Sequence, residues 1–461
     1  MSLLTPADRA LLLELLRLPT AGPLETGAGA PPPALWQAQR SYAAAAAGLG
    51  FRVAHHAPAP PECADRADVP LSVRRAVVEQ PEFLACQPSL VLSLGPDSEL
   101  RSRTMMFNVH LDTVAGAEPV SFDGSRFHGR GAVDAKGPAV ALLAGLRSAL
   151  AGQPNLPDDT RILIQAVSGE EGGALGTIGT RPLVEAGYYG RLNVFCEPTG
   201  GRALARSTAS MTARLRVVGE DAVDDRPEAG HNAGVLLGFL AQHLAAELDP
   251  ELDPAAGQLC LAGLHTGRLH NRVYGTGELL INLSYDSRAT ADRLERRLAE
   301  SLDGGLRAFS QRFADSRRFA RTAADAARVT RLDWLKRGLP ALDSRSDWGS
   351  SLLAAAGVPS WPAAEPAFTC DAIWLAGVPD THTVVLGPGS LDANHAHARG
   401  EFADLDDLEA FAAAVPRLLA AFRDRYAHLP SPSAPIQSAP IQPPAPIQEE
   451  GSTPCRPPVR N

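Results

Sequence analysis

The stretch TMMFNVHLD, residues 104–112, is an apolar run that ends in a histidine and an aspartate two positions apart. Its composition predicts a buried strand. Because side chains two positions apart on a strand lie on the same face, His110 and Asp112 point the same way. An isolated H-x-D is most often a strand end that turns into solvent, so the function of this pair depends on the rest of the chain.

Other strand-like runs alternate with helical stretches along the chain. RILIQAVSG (161–169), RLNVFCEP (191–198) and HTVVLGPG (382–389) read as strands, and GPAVALLAGLRSALAG (137–152) reads as a helix. This alternation predicts an α/β fold with a mostly parallel sheet and helices on both faces. In such sheets, ligand sites form at the carboxyl ends of the strands.

The pattern of apolar and polar residues changes over residues 206–333. MTARLRVVGE (211–220) and GELLINLSYDSR (277–288) alternate like half-buried strands, while 232–248 and 290–309 are amphipathic helices. We expect a small two-layer α+β domain here, inserted between two parts of a catalytic domain at 1–205 and 334–429. Residues 430–461 repeat Ala-Pro-Ile-Gln three times and predict a disordered, proline-rich tail.

Composition excludes several classes of partner. The chain has 461 residues and a formal charge of −9, without a block of Lys or Arg, so we expect neither nucleic acid nor an anionic membrane as partner. No window has the roughly 18 apolar residues of a membrane span. Six scattered cysteines and an N-terminus that reads as a helix start, with Thr5 as N-cap, Pro6 next and Asp8 in the first turn, predict a cytoplasmic protein.

Acidic residues and histidines cluster at or just beyond the ends of the predicted strands. They are His110, Asp112, Asp134, Glu170, Glu171, Glu197, His395 and His397. Imidazole and carboxylate ligands without a thiolate suit zinc and neighbouring divalent ions, and a bridging carboxylate suits two ions. This pattern predicts a metal site at the carboxyl edge of the sheet.

Five motifs in this order carry a resemblance to a known family. They are H-x-D-T-V at 110–114, G-R-G-x-x-D-x-K-G at 129–137, G-E-E-G at 169–172, E-P-T at 197–199 and A-H-x-x-x-E-F at 396–402. Together they resemble the aminoacylase, acetylornithine deacetylase, succinyl-diaminopimelate desuccinylase and glutamate carboxypeptidase family of two-zinc metallohydrolases. The resemblance covers about residues 1–430.

The resemblance implies a set of ligands for two Zn2+ ions, with Co2+ or Mn2+ as possible substitutes. Asp134 would bridge the ions, His110 and Glu197 would complete one site, and Glu171 and His397 would complete the other. The charges agree with this set, because two divalent ions balance three carboxylates and one bound hydroxide. His395 competes with His397 for the ligand role, and the spacing of the family motif favours His397.

Glu170 and Asp112 remain beside this ligand set. Glu170 is not needed by the metals and suits a general base that takes a proton from water. Asp112 would hold the His110 ring from behind the metal site, which gives the opening pair a function. Members of the family also tend to have a cis peptide after the bridging aspartate, here Asp134–Ala135.

One position departs from the family pattern. Members usually carry a histidine in the inserted domain that reaches a partner's active site and stabilises the oxyanion, and here that position is Val223. His231, His265 and His270 lie on the same insertion, although a structural or surface role is the commoner one for each. Loss of an oxyanion donor commonly costs about two to three orders of magnitude in rate.

Asn271 and Arg288 match the family positions that grip a substrate carboxylate, and an arginine fork suits that anion. The leading hypothesis is a hydrolase that cleaves the amide bond of an N-acyl amino acid or small peptide by metal-activated water, with a possible homodimer formed through the insertion. The alternative is a catalytically impaired relative that binds a carboxylated ligand or a partner protein. The sequence leaves deacylase, dipeptidase and carboxypeptidase activity open.

Overall fold

The computed structural model of the protein describes residues 2–96, 101–251 and 257–426. The proline-rich tail predicted at 430–461 lies outside the described residues. In the described part, helices run over α1 (Pro6–Arg17), α2 (Pro23–Thr26), α3 (Leu35–Ala47), α4 (Leu71–Glu79), α5 (Lys136–Gly152), α6 (Leu156–Asp159), α7 (Thr180–Glu185), α8 (Ala233–Leu248), α9 (Arg288–Phe313), α10 (Ala320–Val329), α11 (Asp347–Ala355) and α12 (Leu405–Asp424).

Strands run over β1 (Arg52–Pro58), β2 (Pro88–Leu94), β3 (Thr104–His110), β4 (Ser121–Phe122), β5 (Arg126–His128), β6 (Arg161–Val167), β7 (Leu192–Phe195), β8 (Arg206–Ser207), β9 (Ala209–Val218), β10 (Ala222–Val223), β11 (Leu259–His265), β12 (Arg272–Val273), β13 (Thr276–Tyr285), β14 (Thr330–Lys336), β15 (Leu342–Asp343), β16 (His382–Val385) and β17 (Phe402–Asp404). Short 3-10 helices also occur, and the one at Asp371–Leu375 contributes to the site.

A six-stranded sheet in the order β1-β2-β6-β3-β7-β16 forms the centre of the protein. Its last four strands are parallel neighbours, and β1 and β2 extend it antiparallel. The registers pair His110 of β3 with Val167 of β6, and Asn108 of β3 with Phe195 of β7. The carboxyl ends of these strands therefore meet at one edge.

Helices cover both faces of this sheet, which confirms the predicted fold class. On one face, α1, α3, α5, α11 and α12 share a hydrophobic core with the sheet. The other face packs against α7 and the helix at Asp371–Leu375. All seven residues of β3 are buried, as expected for a central strand enclosed on both faces.

A second sheet, antiparallel and in the order β11-β13-β9-β14, lies within the predicted insertion. Residues of β9 alternate, so that Ala213, Leu215 and Val217 are buried against helices α8 and α9. Arg214 and Arg216 project to the opposite face. The predicted boundary at residue 333 falls inside β14, and the domain boundaries themselves stay a prediction.

The first helix begins as the sequence predicts. Thr5 is the N-cap of α1 and accepts a hydrogen bond from the backbone N–H of Asp8, whose carboxylate accepts one in return from the N–H of Thr5. Within the ranges described, none of the helices combines the length and the apolar character needed to cross a membrane.

Candidate metal centre

Three neighbouring parallel strands, β6, β3 and β7, deliver predicted site residues to one edge of the central sheet. His110 is the last residue of β3, Glu170 and Glu171 follow β6, and Glu197 comes two residues after the end of β7. The structure places these side chains together, as expected for residues that follow adjacent parallel strands.

The first donor group consists of His110, Asp134 and Glu197, and all three are buried. Nε2 of His110 lies 2.8 Å from Oδ1 of Asp134 and 3.7 Å from Oε2 of Glu197. Burial opposes a charge on the imidazole, but the carboxylates of Glu197 and Asp134 outweigh it and raise the pKa of His110 well above its usual value. The pocket therefore favours positive charge strongly.

The second donor group shares Asp134 and adds Glu171 and His397. Nε2 of His397 lies 2.9 Å from Oδ2 of Asp134 and 3.0 Å from Oε1 of Glu171. These two carboxylates raise the pKa of His397 to about 10, although burial works in the other direction. His395 is exposed and its ring lies beside Phe402, so the structure brings His397 rather than His395 into the cluster.

Asp112 supports this cluster through two separate atoms. Its backbone oxygen lies 3.0 Å from Nδ1 of His110, while its carboxylate Oδ1 is 3.8 Å from the same nitrogen. Its Oδ2 accepts a hydrogen bond of 3.0 Å from the backbone N–H of Glu171. Asp112 thus links the strand end that carries His110 to the loop that carries Glu171.

The loop before α5 presents Asp134 and is held by Glu401, whose position the sequence analysis used only as a spacing marker. Oε2 of Glu401 accepts from Nη1 of Arg130 at 2.7 Å and from the N–H of Gly131 at 3.0 Å. Oε1 accepts from the N–H groups of Val133 and Asp134 at 3.1 and 3.3 Å. The peptide after this aspartate is cis, as the resemblance implies.

Glu170 is half-buried and reaches the same cluster, because a carboxylate oxygen of Glu170, a ring nitrogen of His110 and an oxygen of Glu171 all lie within 4.8 Å of one another. Burial of its carboxyl raises the pKa of Glu170 well above the usual value, and the carboxylates of Asp371 and Glu171 add to that effect. A raised pKa suits a group that takes up a proton near neutral pH.

Asp371 is a buried carboxylate that the sequence analysis did not single out. Its Oδ2 accepts a hydrogen bond of 2.5 Å from the hydroxyl of Thr180, while Oδ1 is buried and has no hydrogen-bond donor among the described residues. Burial raises the pKa of Asp371 to about 8 despite the Thr180 hydroxyl. No sequence signal marked this residue, because one aspartate in AFTCDAIW belongs to none of the five motifs.

The donor chemistry fits two divalent ions. Three carboxylates converge with two imidazoles, and among the described residues no lysine or arginine lies within ion-pair distance of Asp134, Glu171 or Glu197. Such a concentration of buried negative charge needs cationic compensation. Oxygen and nitrogen donors without thiolate suit zinc, manganese or cobalt.

The predicted substrate-binding residues do not come together within one chain. Asn271 and Arg288 lie beyond opposite ends of β13, a strand of ten residues that is roughly 30 Å long. Arg288 is largely exposed and pairs with Asp292 at 2.9 Å. The roles of Asn271 and Arg288 stay predictions.

Val223 and the three histidines of the insertion differ in their surroundings. Val223 lies in β10 and is 55% exposed. His231 is buried, with Nδ1 accepting from the N–H of Glu220 and Nε2 lying 3.0 Å from Asp325, which is a structural arrangement. His265 and His270 are exposed, and neither is among the donor groups of the described residues.

A mostly parallel sheet whose strand ends converge on two donor groups with a shared carboxylate defines the class of dinuclear metallohydrolases. The sequence matches the model of peptidase family M20/M25/M40 over residues 106–421. The chain belongs to this family, which confirms the resemblance.

Relatives and solved structures agree with this placement. A protein of Aeropyrum pernix that carries the provisional name LysW-lysine/LysW-ornithine hydrolase is 36% identical over 141 residues, which is 30% of this chain and 37% of that relative. The chain therefore matches little more than a third of the length of this curated relative.

Among solved structures, a tripeptidase from Staphylococcus aureus has a TM-score of 0.62 at 14% identity, covering 90% of this chain and 98% of that one. Human carnosine dipeptidase 1 has a TM-score of 0.56 at 15% identity, covering 91% and 97%. A metallo-carboxypeptidase from Sulfolobus solfataricus has a TM-score of 0.59 at 12% identity, covering 91% and 99%. At these identities the likeness concerns the fold.

Proposed function

We propose that this protein hydrolyses the amide bond of an N-acyl amino acid or small peptide, with two zinc ions held by the two donor groups and Glu170 as general base. One observation carries this proposal: His110 with Glu197, and Glu171 with His397, converge from two sides on the single carboxylate of Asp134, and Glu170 lies beside them. A purely structural role for these residues would not require so much buried negative charge in one place.

Divalent ions supply Lewis acidity toward a carbonyl oxygen and lower the pKa of a water molecule when they are bound. Glu170 takes up a proton from the attacking water on its carboxylate. It then gives this proton to the leaving nitrogen, which must be protonated before an amine departs. Its raised pKa suits both transfers.

The support around the donors defines which atoms face the metals. The backbone oxygen of Asp112 can only accept, so Nδ1 of His110 carries a proton, and Nε2, which faces Asp134 and Glu197, is the nitrogen that could give up its proton and bind a metal. Asp112 and Glu401 act on backbone groups of the ligand loops and so orient Glu171 and Asp134.

Several chemical classes fall within this proposal. Solved structures of the same fold include a tripeptidase, a dipeptidase and a carboxypeptidase. The Aeropyrum pernix relative is named for lysine or ornithine linked to LysW. An amino acid joined by an amide to a larger carrier therefore belongs beside N-acyl amino acids and short peptides among the candidate substrates.

A second candidate function is a catalytically impaired binding protein. Val223 occupies the position of the family's oxyanion histidine and is 55% exposed. An apolar side chain cannot donate a hydrogen bond to an oxyanion, so another group must act in its place or the rate falls. This reading predicts ligand or partner binding without turnover.

The test uses the metal-replete full chain with pooled N-acyl amino acids, including N-acyl-lysine and N-acyl-ornithine, and short peptides, followed by product analysis. Glu170→Gln should abolish turnover while metal analysis still finds close to two ions per chain. Glu247→Gln, at an exposed site on α8, is the matched control and should keep full activity. Two bound ions without turnover of any pooled substrate would favour the binding protein instead.

We also propose a cytoplasmic location and a homodimer that forms through the insertion. The separation of Asn271 from Arg288 supports the dimer, because two residues at opposite ends of β13 can reach one substrate only if they come from different chains. Size-exclusion chromatography with light scattering measures the oligomeric state directly.

A further inference from the structure

A basic cavity lies outside the metal centre, between α4 and one face of the insertion sheet. Its volume is about 560 Å³, within the range of roughly 300–1,000 Å³ found for small-molecule sites. The charged residues that line it are six cations, namely Arg74, Arg75, Arg214, Arg216, Lys336 and Arg337, and one carboxylate, Asp333. The chain as a whole has a formal charge of −9, so its overall composition does not account for an excess of positive charge in this cavity.

The alternation of the strands produces this face. Because Ala213, Leu215 and Val217 of β9 point toward the helices, Arg214 and Arg216 project together on the other side. The register places β14 alongside β9, and α4 contacts β14 and brings its own arginines to the cavity. Two separate parts of the chain therefore supply the positive charge.

Internal pairing accounts for only part of this charge. Asp333 lies 3.2 Å from Arg214 and 2.6 Å from Arg216. Glu278 lies 3.7 Å from Arg214, and Glu295 lies 3.7 Å from Arg337. In the described ranges, neither Arg74 nor Arg75 has a carboxylate within ion-pair distance.

Lys336 is also without an ionic partner in that part of the chain. Its Nζ donates a hydrogen bond of 2.7 Å to the hydroxyl of Ser210. Burial lowers the pKa of Lys336 to about 8, so its positive charge is held at a cost that a neighbouring anion would offset.

Two arginines that line the cavity each have an unsatisfied Nε donor among the described residues. Within the described ranges, Nε of Arg74 on α4 and Nε of Arg214 on β9 are both buried without a hydrogen-bond acceptor. A buried donor left unpaired destabilises the folded protein by about 1–3 kcal/mol, and groups of this kind are rare in native structures. Both lie on residues that line the same cavity.

We propose that this cavity binds a small molecule with at least two anionic groups, phosphate or carboxylate, held by Arg74 from α4 and by Arg214 and Lys336 from the insertion sheet. Guanidinium groups bind both anions through paired hydrogen bonds. One anionic group would lie between Arg74 and Arg214, and the other would meet Lys336. The ligand would also connect α4 to the sheet.

The test measures binding by isothermal titration calorimetry on the metal-replete full chain. Fructose 1,6-bisphosphate probes the phosphate source and tricarballylate the carboxylate source, with acetate at equal ionic strength as the monovalent control. We expect at least one polyanion to bind and acetate not to compete. If only one polyanion binds, its anionic group, phosphate or carboxylate, is the one that the cavity recognises. If both bind, the cavity recognises negative charge and does not distinguish the two groups.

Variants locate the binding. Arg74→Gln and Lys336→Met should each weaken the affinity by about tenfold or more. Arg317→Gln, at an exposed arginine between α9 and α10, removes the same charge elsewhere and should leave the affinity unchanged. Thermal melts of all variants verify folding.

His397→Ala separates this cavity from the metal centre. Binding that persists in His397→Ala and weakens in Arg74→Gln supports the cavity, whether or not the enzyme turns over any substrate. Binding that disappears in His397→Ala and is unchanged in Arg74→Gln would place the anion at the metal centre and overturn the proposal. Absence of binding by either polyanion to the parent protein would overturn it as well.

Discussion

Glu401 accepts a hydrogen bond from the backbone N–H of Asp134, with Oε1 3.3 Å from the nitrogen. The same carboxylate accepts from the N–H groups of Gly131 and Val133. One buried side chain thus holds three amides of the loop that presents Asp134 to both donor groups. In the proposed centre Asp134 would bridge two ions, and this support would keep its two oxygens facing both of them.

Glu401→Gln should therefore weaken metal binding without removing a ligand. An amide has one oxygen to accept with, so it cannot serve all four donors that the carboxylate serves. We expect a loss of about 10- to 100-fold in metal affinity, the usual effect of changing a residue that orients a ligand. Competition with a chromophoric chelator measures the affinity. Glu79→Gln, at an exposed site on α4, is the control, and equal affinities for the two variants would contradict the role of Glu401.

The sharing of Asp134 predicts how metal content responds to each ligand change. His397 belongs to only one donor group, so His397→Ala should retain close to one ion per chain. Asp134→Ala should retain less than one, because both groups lose a donor. Elemental analysis of dialysed protein gives the stoichiometry. Two ions retained in Asp134→Ala would show that the two groups do not form linked sites.

Glycine at position 176 is required by the carboxylate of Asp371. Gly176 has φ +64°, and a Cβ there would overlap the carboxylate group of Asp371. Gly173 has φ +74° in the same loop, but a Cβ there meets no atom of the described part of the chain within 4 Å. Gly173→Ala should cost about 1–2 kcal/mol from backbone strain alone. Gly176→Ala should lower the free energy of unfolding by about a further 1–3 kcal/mol from the steric overlap.

Urea unfolding of the two variants, both saturated with metal, measures this difference. If both alanines cost the same, Asp371 must be free to move away from Gly176. The loop that carries Glu170 would then not depend on that carboxylate for its position.

Much of the centre could be predicted because its residues obey a local rule. His110, Glu170, Glu171 and Glu197 follow strands of a parallel sheet, and such strands end at a common edge. The prediction that they converge needed only the strand pattern and the motif order. The roles assigned to them still await experiment.

The supporting contacts of Asp371 and Glu401 could not be predicted, because they join distant segments. Asp371 meets Thr180 across 191 positions, and Glu401 meets Asp134 across 267. The basic cavity has the same origin, since Arg74 on α4 and Arg214 on β9 come together only through the packing of α4 on β14. The alternation along a strand predicts which face of the sheet Arg214 occupies, but it does not predict which part of the chain packs against that face.

Asp8 should contribute a pH-dependent part of the stability of the fold. Burial favours its neutral form, but hydrogen bonds from Arg147 and Thr5 outweigh burial and lower the pKa of Asp8 below its usual value of 3.8. The stabilisation is therefore fully present above about pH 4 and is lost as the pH falls through the folded-state pKa. Asp8→Asn should cost about 1 kcal/mol at pH 7, since Arg147 is partly exposed and solvent screens the pair.

Urea unfolding at pH 7 and at pH 3.5 measures the difference between Asp8→Asn and the parent protein, with both stripped of metal so that ligand protonation affects them equally. The difference should shrink at the lower pH. Arg147→Met serves as a second variant, and its loss of stability relative to the parent protein should also be smaller at pH 3.5 than at pH 7. A difference that stays constant over this range would mean that the charge of Asp8 contributes nothing.

Asn271 and Arg288 provide a test of the proposed dimer. They lie beyond opposite ends of β13, so a substrate that contacts both has to sit between two chains. Asn271→Ala and Arg288→Ala should each reduce kcat/KM when prepared alone, because every site then lacks one of the two groups. In a mixed dimer, one site receives Arg288 from the first variant and Asn271 from the second, and that site is complete. Mixing the two weakened variants under exchange conditions should therefore raise the activity, up to about a quarter of the parent value when half of the dimers are mixed. A mixture no more active than its components would exclude joint action of these residues across two chains.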